Sequence, residues 1–123
     1  MTKYKSQGIN NTFRNARKGF NLAIKSEINI RVHVGIATLI LFLALLMKFT
    51  AIEFCILLFV IALVIVTEML NTAIEFTLDS IYHNKYSRMV GMAKDISAGA
   101  VLFATFTSIL VGMILFGSKM LPL

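Results

Sequence analysis

The chain has 123 residues, of which 58% are apolar and only 15% are charged, and its mean hydropathy is +0.82. A typical soluble domain is roughly 45–50% apolar and about 25% charged, and so small a domain has too little interior to bury the excess. The composition therefore excludes a disordered or fibrous chain and indicates a single integral membrane domain over residues 1–123. The net charge of +6 fits a membrane protein with a basic cytoplasmic flank.

Residues 1–27 form the first predicted element, a basic amphipathic helix. Its apolar residues recur at helical spacing: Phe13, Ala16, Phe20, Ala23 and Ile24. Its basic residues lie mostly on the other faces: Arg14, Arg17, Lys18 and Lys25. This pattern predicts a helix that lies in the membrane interface, and the alternative is a basic solvated arm.

Three apolar segments follow, and they predict transmembrane helices over residues 28–49, 52–78 and 94–118. Each contains about twenty residues or more, which suffices for roughly 30 Å of hydrocarbon at about 1.5 Å per residue. The connection between the first two helices is expected to be very short. The polar segment 79–95 is expected to form a longer loop. The predicted fold class is therefore an all-α integral membrane protein with three transmembrane helices and one surface helix.

Basic residues are distributed very unevenly about these segments. With the N-terminus inside, ten Lys and Arg fall on the cytoplasmic side and only Lys48 and Lys119 fall outside. This bias predicts a cytoplasmic N-terminus and an external C-terminus. The third segment also carries small residues four apart, which favours close helix packing: Ala100, Ala104, Ser108 and Gly112.

The second segment carries a polar stripe near its cytoplasmic end. Glu68, Asn71, Glu75 and Asp79 fall within roughly 80° of one another on a helix. Glu68 would lie about 24 Å along a helix that begins near Ile52. A carboxylate at that depth costs a few kcal/mol unless it is paired, hydrated or bound to a cation.

Two arrangements would relieve the charge of this stripe. The first is a basic partner, and the side chains of Lys94, Arg31 or Lys25 could reach these carboxylates. A divalent cation is the other, since Mg²⁺ takes few protein carboxylates and fills its shell with water and phosphate oxygens. A purely structural salt-bridge cluster is the alternative to a functional site. His33 and His83 show no metal-ligand spacing and are expected to be interface or core histidines.

The stretches EMLNTAIE at 68–75 and AKDISAGAVL at 93–102 resemble signatures of the prokaryotic diacylglycerol kinase and undecaprenol kinase family. The segment KSEINIRVH at 25–33 is similar to the family's entry into its first span, and the resemblance covers roughly residues 12–116. It implies a homotrimer of three-span subunits in a bacterial plasma membrane. It also implies transfer of the γ-phosphoryl group of ATP to a lipid hydroxyl at the cytoplasmic interface.

The same resemblance implies roles for individual residues. Glu68 is similar to the proposed general base, and Asn71 to the amide that orients the site. Glu27 and Glu75 resemble the carboxylates that hold Mg²⁺. Lys94 resembles the lysine that meets the phosphates of ATP. The nucleotide side includes three further residues: Asp95, Tyr86 and Gly91. Sites in this family are composite, with residues from neighbouring subunits.

Some diacylglycerol-preferring members of the family have a glutamate near the position of His33. The sequences NTAIE and AKDISAGAV resemble the undecaprenol kinase branch more closely. Undecaprenol is therefore the expected lipid, with diacylglycerol as the alternative. A non-enzymatic channel or regulatory subunit is the alternative of another class, and it predicts carboxylates spread along the bilayer depth. No nucleic acid partner is expected, because the basic arm lacks interleaved stacking aromatics.

Overall fold

The computed structural model describes residues 8–121, and every regular element in that range is a helix. The helices are α1 (Ile9–Ser26), α2 (Ile28–Leu46), α3 (Ala51–Tyr82) and α4 (Arg88–Met120). Helices α2, α3 and α4 are each long and apolar enough to cross a membrane. The all-α fold with three membrane-spanning helices is thus confirmed. The part of the predicted surface helix in residues 1–7 lies outside the described residues.

Helix α1 meets α2 at a sharp elbow formed by Glu27. The backbone of Glu27 is extended, with φ −124° and ψ 116°, and it both ends α1 and precedes α2. The Arg31 guanidinium donates to the carbonyls of Ile24 and Lys25, at 2.9 and 2.8 Å. These carbonyls lack partners within α1, so the arginine completes the helix end. Arg31 therefore fixes the elbow, and of the three basic residues considered as partners of the acidic stripe it is one that binds elsewhere.

The connection between α2 and α3 is as short as expected, although α2 ends three residues before the predicted limit at 49. Lys48 adopts a left-handed backbone with φ 60°, which stops the helix. Thr50 then caps α3. Its hydroxyl accepts from the Glu53 amide at 3.2 Å, and its own amide donates to the Glu53 carboxylate at 2.9 Å. This reciprocal capping box fixes where α3 begins.

The connection between α3 and α4 comprises only residues 83–87, so most of the expected loop at 79–95 is helical. His83 and Asn84 both have left-handed backbones, with φ 52° and 63°, and they end α3. The Ser87 hydroxyl accepts from the Val90 amide at 3.2 Å and caps α4. Helices α3 and α4 consequently extend beyond the predicted spans 52–78 and 94–118. Those membrane limits stay predictions, because a helix can project past the hydrocarbon.

A buried apolar cluster joins the three long helices at the end remote from the acidic stripe. Ala44, Leu57 and Leu115 form a buried cluster there. The rings of Phe49 and Phe116 lie beside it, with centroids 4.8 Å apart. An ion pair also closes this end, between Lys119 Nζ and Glu53 Oε1 at 2.8 Å. Most other apolar side chains on α2–α4 face outward, as expected where lipid or another subunit surrounds the helices.

Candidate active site

A polar cavity of about 190 Å³ opens between α2, α3 and α4 beside the elbow. Three residues expected in the site contribute to its wall, namely Glu27, Glu68 and Asn71. The remaining lining residues are Asn29, Ile30, Thr72, Ala98 and Val101. Asn29 and Thr72 add polar groups that the sequence did not single out. The fold thus brings the elbow carboxylate and the deepest stripe carboxylate to one space.

Glu68 is the most enclosed ionisable residue of this cavity and is only 7% exposed. It follows Val60 and Val64 at four-residue spacing on the inward face of α3, and all three side chains are buried. Its Oε2 lies 2.7 Å from the Nδ1 atom of His33 on α2. The basic partner of Glu68 is therefore a histidine rather than one of the expected lysines or Arg31.

His33 is one of the residues of this site that sequence reasoning did not assign to it. It lies three residues after Ile30 and four before Ala37, and both of those residues are buried. These spacings place His33 on the inward face of α2. A lone polar residue on that face was the available signal for a contact with the acidic stripe.

A second polar group links α3 to α4 through Asn71. The Asn71 amide Nδ2 donates to Glu75 Oε1 at 3.2 Å. The Ser97 hydroxyl donates to Asn71 Oδ1 at 2.5 Å. The Ser97 Oγ atom also lies 3.0 Å from the Lys94 carbonyl oxygen. Ser97 is buried, and the sequence did not indicate this contact. The arrangement holds the Asn71 side chain with its NH₂ group directed at Glu75.

Lys94 pairs with the acidic stripe at its far end. Its Nζ lies 2.7 Å from Asp79 Oδ1, and both side chains are partly exposed. Asp79 is eleven residues beyond Glu68, or about 16 Å along the axis of α3. Within one chain the Lys94 ammonium is thus held well away from the Glu68 carboxylate. Asp95 follows it on α4 and is exposed.

Tyr86 and Gly91 contact each other at the start of α4. A Cβ atom on Gly91 would lie 2.9 Å from Tyr86 Cε2, closer than real Cβ contacts. A larger residue would therefore require the Tyr86 ring to shift, and the ring is 83% exposed beside the connection between α3 and α4. The nucleotide-binding role of both residues stays a prediction.

The carboxylates and amide of this region provide the oxygen donors that Mg²⁺ prefers. Within residues 8–121 no three His, Cys, Asp or Glu side chains are grouped as a ready-made ion site. Mg²⁺ is usually bound through one or two protein carboxylates together with water and substrate phosphates. Glu27 on the cavity wall and Glu75, joined to the cavity through Asn71, are compatible with this kind of site.

Comparison with known proteins identifies the family. Residues 14–116 match the family model of prokaryotic diacylglycerol kinase. The chain belongs to that family, which is a family of lipid kinases. The resemblance found in the motifs is thereby confirmed.

Two relatives show how far the similarity extends. A diacylglycerol kinase of Synechocystis sp. is 33% identical over 111 residues, which cover 90% of this chain and 61% of that protein. An undecaprenol kinase of Bacillus subtilis is 32% identical over 109 residues, which cover 89% of this chain and 88% of that protein. The chain thus spans less than two thirds of the length of the Synechocystis relative. The two identities are nearly equal, so they do not distinguish between the two lipids.

Proposed function

We propose that this protein phosphorylates a membrane lipid alcohol with ATP, at the cytoplasmic face of the plasma membrane. The observation that carries the proposal is the Glu68 carboxylate, which is buried on a helix that can cross the membrane and lines a polar cavity with Glu27 and Asn71. Ionisable residues at such positions are costly and mark functional sites. A site at the inner ends of the helices meets both a lipid hydroxyl and a nucleotide from the cytoplasm.

In the proposed reaction Glu68 acts as the general base. The lipid hydroxyl gives its proton to the carboxylate while its oxygen forms a bond to the γ-phosphorus of ATP. The bond from that phosphorus to the bridging oxygen breaks, ADP leaves, and Glu68 returns the proton to water. Among residues 8–121 His33 is the side chain that binds the Glu68 carboxylate, at Oε2. Oε1 is therefore the oxygen that would face the lipid hydroxyl.

The other predicted residues bind and orient the phosphate donor. Glu27 and Glu75 would hold Mg²⁺, which supplies positive charge to the phosphate oxygens. Asn71 keeps the Glu75 carboxylate in one orientation through its amide. Lys94 meets the phosphates. The rest of the nucleotide side comprises Asp95, Tyr86 and Gly91.

The separation of Lys94 from Glu68 supports a composite site. Lys94 is paired with Asp79, which lies about 16 Å beyond Glu68 along the axis of α3. In a composite site a neighbouring chain would supply the lysine to a given cavity. We therefore include a homotrimer with shared sites in the proposal. Of the small residues of α4, Ala104 is already buried within the chain, whereas Ala100 remains exposed and open to a neighbouring subunit.

Undecaprenol is the proposed lipid, and the amino-acid sequences of the two motifs support this choice over diacylglycerol.

The alternative of a non-enzymatic channel predicts carboxylates along the whole bilayer depth. Among the described carboxylates, Glu53 alone lies at the far end, paired with Lys119, and the other five gather at the opposite end. The clustering favours a site that works at one interface.

The test is phosphoryl transfer by the purified full chain. The protein is incubated in mixed micelles with γ-labelled ATP and Mg²⁺, and with undecaprenol, diacylglycerol or no added lipid. We expect label in both lipids, with the higher kcat/KM for undecaprenol. The matched variants are Glu68→Gln, which should lose transfer, and Glu53→Gln, which should retain it. A higher kcat/KM for diacylglycerol would overturn the choice of undecaprenol as substrate. Absence of phosphoryl transfer to either lipid would overturn the proposed function.

A further inference from the structure

We infer that His33 is a positioning residue for Glu68, which it holds by a direct contact so that one carboxylate oxygen faces the lipid hydroxyl. The inference rests on the proposed function, in which Glu68 is the base. Neither the motifs nor the relatives' names assign a role to this histidine. The assignment comes from the contact between α2 and α3.

The contact is short and connects elements far apart in the chain. Nδ1 of His33 lies 2.7 Å from Oε2 of Glu68, and the residues are 35 positions apart. The Glu68 side chain is 8% exposed and the His33 side chain 31% exposed. A hydrogen bond to a carboxylate this enclosed is stronger than the same bond in water. It restrains a terminal torsion that is otherwise broad in glutamate.

His33 also stands between two different spaces. Glu68 lines the polar cavity, whereas His33 lines an apolar groove of about 290 Å³ together with Ile36, Ile40 and Ile65. The imidazole therefore separates the hydrocarbon-lined groove from the carboxylate it binds. A substitution of His33 therefore removes the contact of Glu68 without removing a lining residue of the polar cavity.

Two other basic groups near this end of the helices have different partners. Lys94 pairs with Asp79, and Arg31 binds the carbonyls at the end of α1. The other ionisable group that lines the polar cavity is the Glu27 carboxylate, which repels rather than fixes Glu68. Orientation of the base therefore depends on His33.

Two substitutions separate the hydrogen bond from the bulk of the side chain. His33→Asn retains a donor near the position of Nδ1, and His33→Leu retains an apolar side chain without one. We expect His33→Leu to lower kcat about 10- to 100-fold, the usual effect of losing a residue that orients a functional group. KM for Mg·ATP should stay within about twofold, because the groups assigned to the nucleotide are untouched. His33→Asn should recover most of kcat.

The Glu68→Gln background tests whether His33 acts through Glu68. There, His33→Leu should lower the remaining kcat by less than about twofold, because effects of groups that act as a unit are not additive. Thr38→Val is the matched control on α2, since the Thr38 hydroxyl bonds only to its own helix at the Val34 carbonyl. It should leave kcat unchanged, and all variants are compared by circular dichroism and elution volume in detergent.

Three results would overturn the inference while leaving the proposed function intact. The first is a near-normal kcat for His33→Leu, and the second is a kcat for His33→Asn that is no higher than that of His33→Leu. The third is an equal loss of kcat from His33→Leu in the native chain and in the Glu68→Gln variant. Near-normal kcat for Glu68→Gln would instead overturn the base assignment together with the inference. The single and double variants therefore distinguish the two failures.

Discussion

Glu68 and Glu75 share one face of α3 but have different surroundings. Glu68 is buried against His33, whereas Glu75 is half-buried and accepts a hydrogen bond from Asn71. Seven residues separate them, or about 10 Å along the helix, which is too far for one metal ion to be gripped easily by both. The deeper carboxylate suits a lipid hydroxyl, and the outer one suits Mg²⁺ arriving with the nucleotide.

Glu68→Gln should lower kcat about 10²- to 10⁴-fold, the usual contribution of a positioned base. Binding of Mg·ATP should change little, because the amide removes the base without touching Glu27 or Glu75. Steady-state kinetics and equilibrium binding of a fluorescent ATP analogue measure the two effects. A defect that is cured by additional Mg²⁺ would contradict the base assignment.

Glu75→Gln should weaken Mg·ATP binding and be partly rescued at higher Mg²⁺, because an amide is a poorer ligand than a carboxylate. A titration of activity against Mg²⁺ at fixed ATP measures the shift. Glu53→Gln is the control, since it also removes one carboxylate from α3 but at the opposite end. Equal Mg²⁺ dependence in both variants would count against a metal role for Glu75.

The polar stripe could be predicted because helical periodicity is a property of one segment. Glu68, Asn71 and Glu75 share a face whatever else the chain does. Their partners His33 and Ser97 lie 35 and 26 residues away on other helices. No spacing rule connects those positions, because the contacts depend on how α2 and α4 are rotated against α3. Sequence reasoning therefore grouped the acids of the candidate site and missed the side chains that contact them.

At the scale of the elements, hydropathy located the helices but not their ends. The apolar pattern stops near residue 78, yet α3 continues to Tyr82 with a polar last turn. The actual limits depend on caps and on left-handed residues, such as Ser87 and His83. Such signals are local and chemical, and they are invisible to an average over apolar residues.

The elbow between α1 and α2 gives a prediction at this scale. Arg31→Gln should loosen the elbow and displace Glu27, because the α1 carbonyls lose both hydrogen bonds. We expect a several-fold rise in the Mg²⁺ concentration for half-maximal activity. Arg17→Gln is the matched control, since it removes the same charge from the exposed surface of α1. An identical shift in both variants would show that charge, not the elbow, is responsible.

At the scale of the whole molecule, the two ends of the helices differ in charge. Ten basic residues on one side predict a cytoplasmic N-terminus. An alkaline phosphatase fusion after Leu123 should therefore be active, because this topology predicts that end to lie outside. A fusion in the connection at residues 83–87 should be inactive. The opposite pattern would invert the topology and move the candidate site to the wrong face.

Shared sites make a distinct prediction for mixed assemblies. Glu68→Gln and Lys94→Ala should each be inactive alone. Coexpressed and isolated as mixed trimers, they should regain about a third of normal activity, because each mixed trimer of cyclic symmetry keeps one intact site of three. Activity is measured after purification through tags on both chains. No recovery would mean that each site is formed by a single chain.

Helices α3 and α4 contain 32 and 33 residues, which give each a length of about 48–50 Å against roughly 30 Å of hydrocarbon. If the end at Glu53 and Lys119 lies at one boundary of the hydrocarbon, the hairpin of α3 and α4 would project past the acyl chains at the other boundary and carry Asp79 and Lys94 there. Extracting an alkyl chain from a bilayer costs about 0.8 kcal/mol for each CH₂. In the proposed reaction that desorption is unnecessary, since a rigid hairpin reaches into the headgroup layer while its buried part stays at the depth of the lipid hydroxyl. The two substrates then meet without leaving their own phases.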